Sequence, residues 1–133
     1  MQIEVKKIGD LKKVVDCIKK SGKKIVLLSG TLGSGKTTLV KEFAKSLGLG
    51  ETVTSPTFAI QNIYDNKIFH YDLYNKGADE FLALGMLEEL EKEGYHFIEW
   101  AEELEEILRN YGFEFLKIKI VFDSNTRIFE CLD

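Results

Sequence analysis

The sequence predicts an α/β fold: a single domain over residues 1–133, with helices on both faces of a mixed (parallel plus antiparallel) central sheet, three layers in all. Three observations carry that expectation. A short β-branched run, Lys24-Ile-Val-Leu-Leu-Ser29, meets a glycine-rich turn and then an amphipathic helix, the crossover unit of a parallel sheet. Alternating segments occur in pairs around short turns, which adds antiparallel hairpins. The 133 residues, 44% of them hydrophobic, suffice for one core.

Each element follows from local pattern. Gln2–Lys7 alternates, with Ile3 and Val5 on one side, and reads as an edge strand. Asp10 stands where it can cap a helix over 11–21, whose Leu11, Val14, Val15 and Ile18 fall on one stripe and which Gly22 ends. Residues 24–29 form a buried strand. A helix over 36–47 aligns Leu39, Val40, Phe43, Ala44 and Leu47 before Gly48 stops it. Residues 49–57 are a loop around Ser55-Pro56-Thr57 that holds the only proline. Phe58–Tyr64 and Lys67–Asp72 are strands joined by a tight turn at Asp65-Asn66. Residues 79–93, rich in Leu and Glu, read as a helix; His96–Glu99 is a short apolar strand; Ala101–Asn110 is a helix stopped near Gly112. Glu114–Phe122 alternates, with Leu116, Ile118, Ile120 and Phe122 on one face, then Asp123-Ser124-Asn125 turns and Arg127–Leu132 returns.

Bulk composition narrows the function classes. The net charge is −4 and the pI about 5.3, whereas an autonomous nucleic-acid binder carries a basic face. Only Arg109 and Arg127 bring guanidinium groups. The lysines between Lys6 and Lys24 cluster near the start and read as a solvated face, with a partner-docking or weakly RNA-facing surface as the sharper reading. No apolar run approaches the ~20 residues that span a bilayer, and Met1–Lys7 is too charged and short for a secretion signal. The expectation is a soluble intracellular protein. Cys17 and Cys131 are far apart in sequence, lack metal-ligand spacing, and read as reduced thiols.

The chemistry concentrates at Gly30-Thr31-Leu32-Gly33-Ser34-Gly35-Lys36-Thr37, which fits G-x-x-x-x-G-K-[ST] at every fixed position. This is the phosphate-cradling loop of P-loop NTPases, so the expected architecture is P-loop NTPase-like. Glycines let the backbone turn several N–H groups inward as an anion nest. Lys36 would reach the β- and γ-phosphates of ATP, Thr37 would offer its hydroxyl to Mg2+, and the helix that starts there would aim its positive end at the same phosphates. Two acids end apolar strands, Asp72 and Glu99, on the sheet edge where α/β proteins bind ligands; at least one of them is expected to hold the metal. Ser55 and Thr57 read either as a switch segment that senses the γ-phosphate or as turn chemistry. Trp100, beside Glu99, reads as packing or as a lid or partner contact. His70 and His96 read as structural, and Arg127 as a surface arginine that could reach a phosphate.

Taken in order, GTLGSGKTT (residues 30–38), VTSPTF (53–58), HYDLY (70–74), the Glu80–Gly85 stretch and Glu99-Trp100 resemble the TsaE family, the small ATPase of bacterial tRNA threonylcarbamoyladenosine (t6A) synthesis. The resemblance runs from about Ile8 to Arg127. It implies a cytoplasmic, Mg2+-dependent ATPase needed to attach threonylcarbamoyl to adenosine 37 of tRNAs reading codons that begin with A. It also implies association with the heterodimer of the transferase subunit and its paralogue (TsaD–TsaB type), tRNA being met through that complex. By position, it makes Thr37 and Glu99 similar to the family's magnesium ligands and Asp72 to its essential acid near the γ-phosphate, itself a candidate ligand. Lys36, Asp72 and Thr57 become the expected catalytic set, with Thr57 and Trp100 at switch and lid positions. Asp10 and Leu11 fall where the N-terminal segment approaches the base, and Thr38 and Arg127 complete the nucleotide contacts. Two departures stand out: Thr31 replaces the usual acid after the first loop glycine, and Asn75 replaces the arginine of DLYR, whose role must be met by Lys76 or lost.

A small-molecule kinase is the alternative enzyme, but two arginines cannot build a multi-arginine lid. A guanine-reading N-K-x-D motif is not matched by Asn75-Lys76-Gly77-Ala78-Asp79, so selectivity leans to ATP. A nucleotide-gated binding module with slow hydrolysis is the third reading.

Overall fold

Strand alternation sorts the apolar residues onto two faces of one sheet, and helices close over each face. The computed structural model describes residues 1–30, 35–49, 61–74, 77–123 and 125–132. Its strands are β1 (Gln2–Val5), β2 (Ile25–Ser29), β3 (Gln61–Tyr64), β4 (Ile68–Asp72), β5 (Tyr95–Glu99), β6 (Leu116–Asp123) and β7 (Thr126–Leu132). Its helices are α1 (Leu11–Ser21), α2 (Lys36–Ser46), α3 (Gly77–Ala83), α4 (Met86–Glu89) and α5 (Glu105–Asn110). The seven strands lie in the order β1-β7-β6-β2-β5-β4-β3. The central pairs β6–β2, β2–β5 and β5–β4 are parallel; the flanking pairs β1–β7, β7–β6 and β4–β3 are antiparallel. The mixed sheet expected from the sequence is thus present.

One core lies between the sheet and α1 with α2, and contains Val26, Leu28, Ile68, Phe97 and Ile118 from the strands. The other lies under α3 to α5 and contains Ile25, Leu27, Phe69, Tyr71 and Ile98. Neighbouring residues along β2 and β4 thus alternate between cores, as a period of two requires. Phe43 of α2 is fully buried and meets Tyr95 and Phe97 edge-on, with centroids at 4.6 and 5.1 Å. Its burial anchors α2, and truncation to alanine would cost about 3–5 kcal/mol.

Several expectations need correction. Residues 79–93 are not one helix. The chain leaves α3 and restarts as α4 after Gly85, whose φ of +73° is open to glycine at little strain. Leu84, at the break, is 54% exposed. Ala101–Asn110 begins as a 3-10 turn over Glu102–Leu104 before α5. Asp10 does not cap α1 with its side chain; its carboxylate turns back and accepts from the backbone N–H groups of Lys6 and Lys7 at 3.0 and 3.2 Å. Those two donors hold its pKa below the usual carboxylate range. Phe122 keeps the alternation of Leu116, Ile118 and Ile120 but is not buried with them: it is 52% exposed near the hairpin end, where the Arg127 guanidinium stacks 4.6 Å from its ring. Cys17 and Cys131, distant in sequence, meet between α1 and β7, and burial together with the Cys17 thiol pushes the Cys131 thiol up to about 12. The Asp65-Asn66 turn is borne out, both residues holding φ above +50° (52° and 53°) as a primed hairpin turn demands.

Candidate nucleotide-binding site

Parallel pairing of β2, β5 and β4 brings their carboxyl ends to one edge. Leu28 of β2 is level with Glu99 of β5, and Glu99 is level with Asp72 of β4. Stepping by two from Ile68 and Phe97, which face the α1–α2 core, puts His70, Asp72 and Glu99 on that same side of the sheet. Beyond the end of β2, Gly35 at φ +115° turns the chain into α2, so Lys36 opens that helix beside the two acids. Two candidate acids and the candidate lysine, distant in sequence, thus share the wall of one cavity of about 420 Å³. Gly35, Thr37, Thr38, Trp100 and Arg127 line it as well.

Lys36 organises the interior. It is 5% exposed, and its Nζ donates to the Gly30 carbonyl at 2.7 Å, lies 3.8 Å from the Trp100 ring centroid, and stands 4.0 Å from Glu99 Oε1. Burial lowers its pKa, while Glu99, Asp72 and Glu102 oppose that shift. Glu99 is buried too, at 4% exposure, and its Oε2 accepts from His70 Nε2 at 2.5 Å. Asp72 Oδ1 accepts the Tyr74 backbone N–H at 2.9 Å. Burial raises the Asp72 pKa above the carboxylate range, and the Glu99 charge adds to that, against the Tyr74 N–H. Trp100 holds φ at +60° and leans on Tyr74 with centroids 5.0 Å apart. An aromatic held in left-handed backbone beside a buried cation is the strain expected at a functional site.

Other candidates fall elsewhere. Leu11 lines the cavity but Asp10 does not, its carboxylate being engaged by Lys6 and Lys7. His96 is remote and structural: it accepts the Tyr71 hydroxyl at Nδ1 (2.7 Å) and donates from Nε2 to the Lys92 carbonyl (2.9 Å). Burial lowers its pKa, consistent with a neutral ring. Thr31, Leu32, Gly33, Ser34, Ser55, Thr57, Asn75 and Lys76 lie outside the described residues. Sequence reasoning passed over Val5, Lys6, Lys7, Ile8 and Phe129, which also line the cavity. Nothing in the local pattern of β1 distinguishes a cavity wall from an edge strand. It also passed over His70 as a partner of Glu99, though the register of two apolar strands carried the signal.

The donor set suits a hard divalent cation. Thr37, Asp72 and Glu99 supply only oxygen, which fits Mg2+. The first turn of α2 and a buried ammonium supply the positive field a polyphosphate needs. Among the described residues no cluster of three or more His, Cys, Asp or Glu is placed to hold a metal ion by itself. Among the same residues no helix is long and apolar enough to cross a membrane.

A family model described as threonylcarbamoyl adenosine biosynthesis protein TsaE matches residues 5–129. The tRNA threonylcarbamoyladenosine biosynthesis protein TsaE of Treponema pallidum is 33% identical over 107 residues, spanning 78% of this chain and 78% of that protein. The protein of the same name from Rickettsia typhi is 38% identical over 109 residues, spanning 78% and 74%. The Bacillus subtilis protein of that name is 40% identical over 87 residues, which is 63% of this chain and 54% of that one. Among solved structures, a crystal structure of Bacillus subtilis YdiB aligns with a TM-score of 0.69 at 25% identity, covering 97% of this chain and 82% of that chain.

Proposed function

The chain belongs to the TsaE family of threonylcarbamoyl adenosine biosynthesis proteins, and from that membership we propose that it binds and hydrolyses ATP with Mg2+ in the cavity at the carboxyl edge of the sheet. It serves, in the cytoplasm, the threonylcarbamoylation of adenosine 37 in tRNAs that read codons starting with A. It works with a transferase heterodimer of the TsaD–TsaB type and meets tRNA through that complex. The single observation that supports this best is the meeting of Lys36, Asp72, Glu99 and Trp100 around one cavity at the start of α2.

Thr37 and Glu99 would hold the magnesium, with Asp72 adjacent, and the metal would supply neutralisation of charge on the β- and γ-phosphates. The chain's own residues do the rest. Backbone N–H groups at the start of α2 bind phosphate oxygens. Lys36 leaves the Gly30 carbonyl and the Trp100 face and places its ammonium on the γ-phosphate. Asp72, whose burial and neighbouring carboxylate raise its affinity for a proton, orients the attacking water and takes its proton. Trp100 covers the acids from solvent.

Turnover by the lone subunit is slow, since the described site brings one buried lysine and no arginine-rich lid. Phosphate release measured with and without a purified TsaD–TsaB-type heterodimer tests this. Weak hydrolysis alone and a severalfold rise with the heterodimer are expected. Equal rates would count against the partner reading, and phosphate transfer to a metabolite would favour a kinase.

A further inference from the structure

Glu99 has two carboxylate oxygens and they face different neighbours. Oε1 points toward the cavity and stands 4.0 Å from Lys36 Nζ. Oε2 is engaged at 2.5 Å by Nε2 of His70, a fully buried ring on β4. A carboxylate only accepts, so the ring carries its proton on Nε2 and donates it. The other ring nitrogen agrees. His70 Nδ1 is buried without a hydrogen-bond partner among the described residues. With the proton on Nε2 it is a bare acceptor, which is tolerated better than a buried N–H left unpaired.

We propose that His70 is the positioning residue of the metal site. By holding Oε2 it fixes the rotation of the Glu99 carboxyl and leaves Oε1 as the single oxygen presented to magnesium once Lys36 has moved to the phosphates. This rests on the nucleotide reading of the cavity. A merely structural pair is the poorer explanation, because an apolar pair of similar volume fills a core at less cost than a buried carboxylate. Here the carboxylate is kept, one oxygen tied inward and the other facing the cavity cation. Hydrogen-bond partners of metal ligands typically govern metal affinity by about 10–100-fold.

The test uses the full chain with a non-hydrolysable ATP analogue, and Mn2+ as the probe, its free fraction read by electron paramagnetic resonance. His70→Leu should weaken Mn2+ binding by about tenfold or more, while affinity for the analogue without metal stays close to wild type. His70→Gln, whose amide N–H reaches the position of Nε2, should regain most of that loss. If His70→Leu does not fold, His70→Asn replaces it: its amide is too short to reach Glu99, and the same loss is expected. In the metal-free protein, ring 15N shifts should report the Nε2–H tautomer. Wild-type Mn2+ affinity in the Leu or Asn variant, a Gln variant as weak as Leu, or an Nδ1–H ring would each overturn the proposal. A wild-type protein that binds neither analogue nor Mn2+ would instead remove the nucleotide reading itself.

Discussion

Trp100 offers a prediction whose sign is set by the backbone. Its φ of +60° lies in the left-handed region, where an ordinary residue loses roughly 1–2 kcal/mol. Its ring receives the Lys36 ammonium at 3.8 Å and packs on Tyr74 at 5.0 Å. Replacement by alanine or by glycine removes the same ring. The lost cation–π contact is worth about 0.5–2 kcal/mol and the aromatic pair about 0.5–1.5 kcal/mol, so both variants should unfold more easily than wild type. They differ only in the main chain. At most positions glycine is the weaker of the two by roughly 0.5–1 kcal/mol. At position 100 alanine keeps the strain and glycine sheds it, so the order inverts. Trp100→Gly should be more stable than Trp100→Ala by about 0.5–1 kcal/mol, with a Tm about 2–4 °C higher. Urea unfolding followed by circular dichroism, with equal m-values, measures the difference. An alanine variant as stable as the glycine variant would refute the reasoning, because residue 100 would then not be held at positive φ.

Three further outcomes follow from the same structure. Burial and the Glu99 charge raise the Asp72 pKa, so the folded state binds that proton more tightly than the unfolded chain, and the ionised form weighs against folding above the carboxylate range. Asp72→Asn keeps an acceptor for the Tyr74 N–H; it should be more stable than wild type at pH 7, with the gain shrinking toward pH 4, while phosphate release falls sharply. Tyr71→Phe leaves His96 Nδ1 a buried acceptor without its 2.7 Å donor, and should lower the unfolding free energy by about 1–2 kcal/mol without changing ATP affinity. Gly94→Ala would put a Cβ 2.8 Å from the Lys67 carbonyl oxygen at a φ of +134°, and should destabilise by about 2 kcal/mol or more in urea titration.

The parts of the fold visible in the sequence are those governed by short-range pattern. Leu11, Val14, Val15 and Ile18 repeat at helical spacing, and all four are buried in α1. The glycine-rich motif, with the strand before it and the helix after it, marks Lys36, which opens α2, because strand, turn and helix are each set by short-range pattern. Periodicity failed where a single backbone angle decided the outcome: Gly85 divides a Leu- and Glu-rich run that composition joins into one helix. It failed again at Phe122, which keeps its alternation but lies near the hairpin end under the Arg127 guanidinium. Within the site, Asp72 and Glu99 were legible as strand ends, but their adjacency needs the order β2-β5-β4, which no local pattern encodes. The His70–Glu99 and Cys17–Cys131 contacts are long-range consequences of the same topology. The side chain of Asp10 has two local uses, forward onto α1 or back onto Lys6 and Lys7, and the structure takes the second.

Calorimetric titration of magnesium–ATP into the wild-type chain and into Lys36→Ala tests the central claim most directly, that the turn from Gly30 into α2 grips the triphosphate. One-site binding by the wild type and loss of tight binding in the variant are expected, since the buried ammonium proposed to meet the phosphates is gone. Equal affinity in the two proteins would contradict the assignment of this cavity.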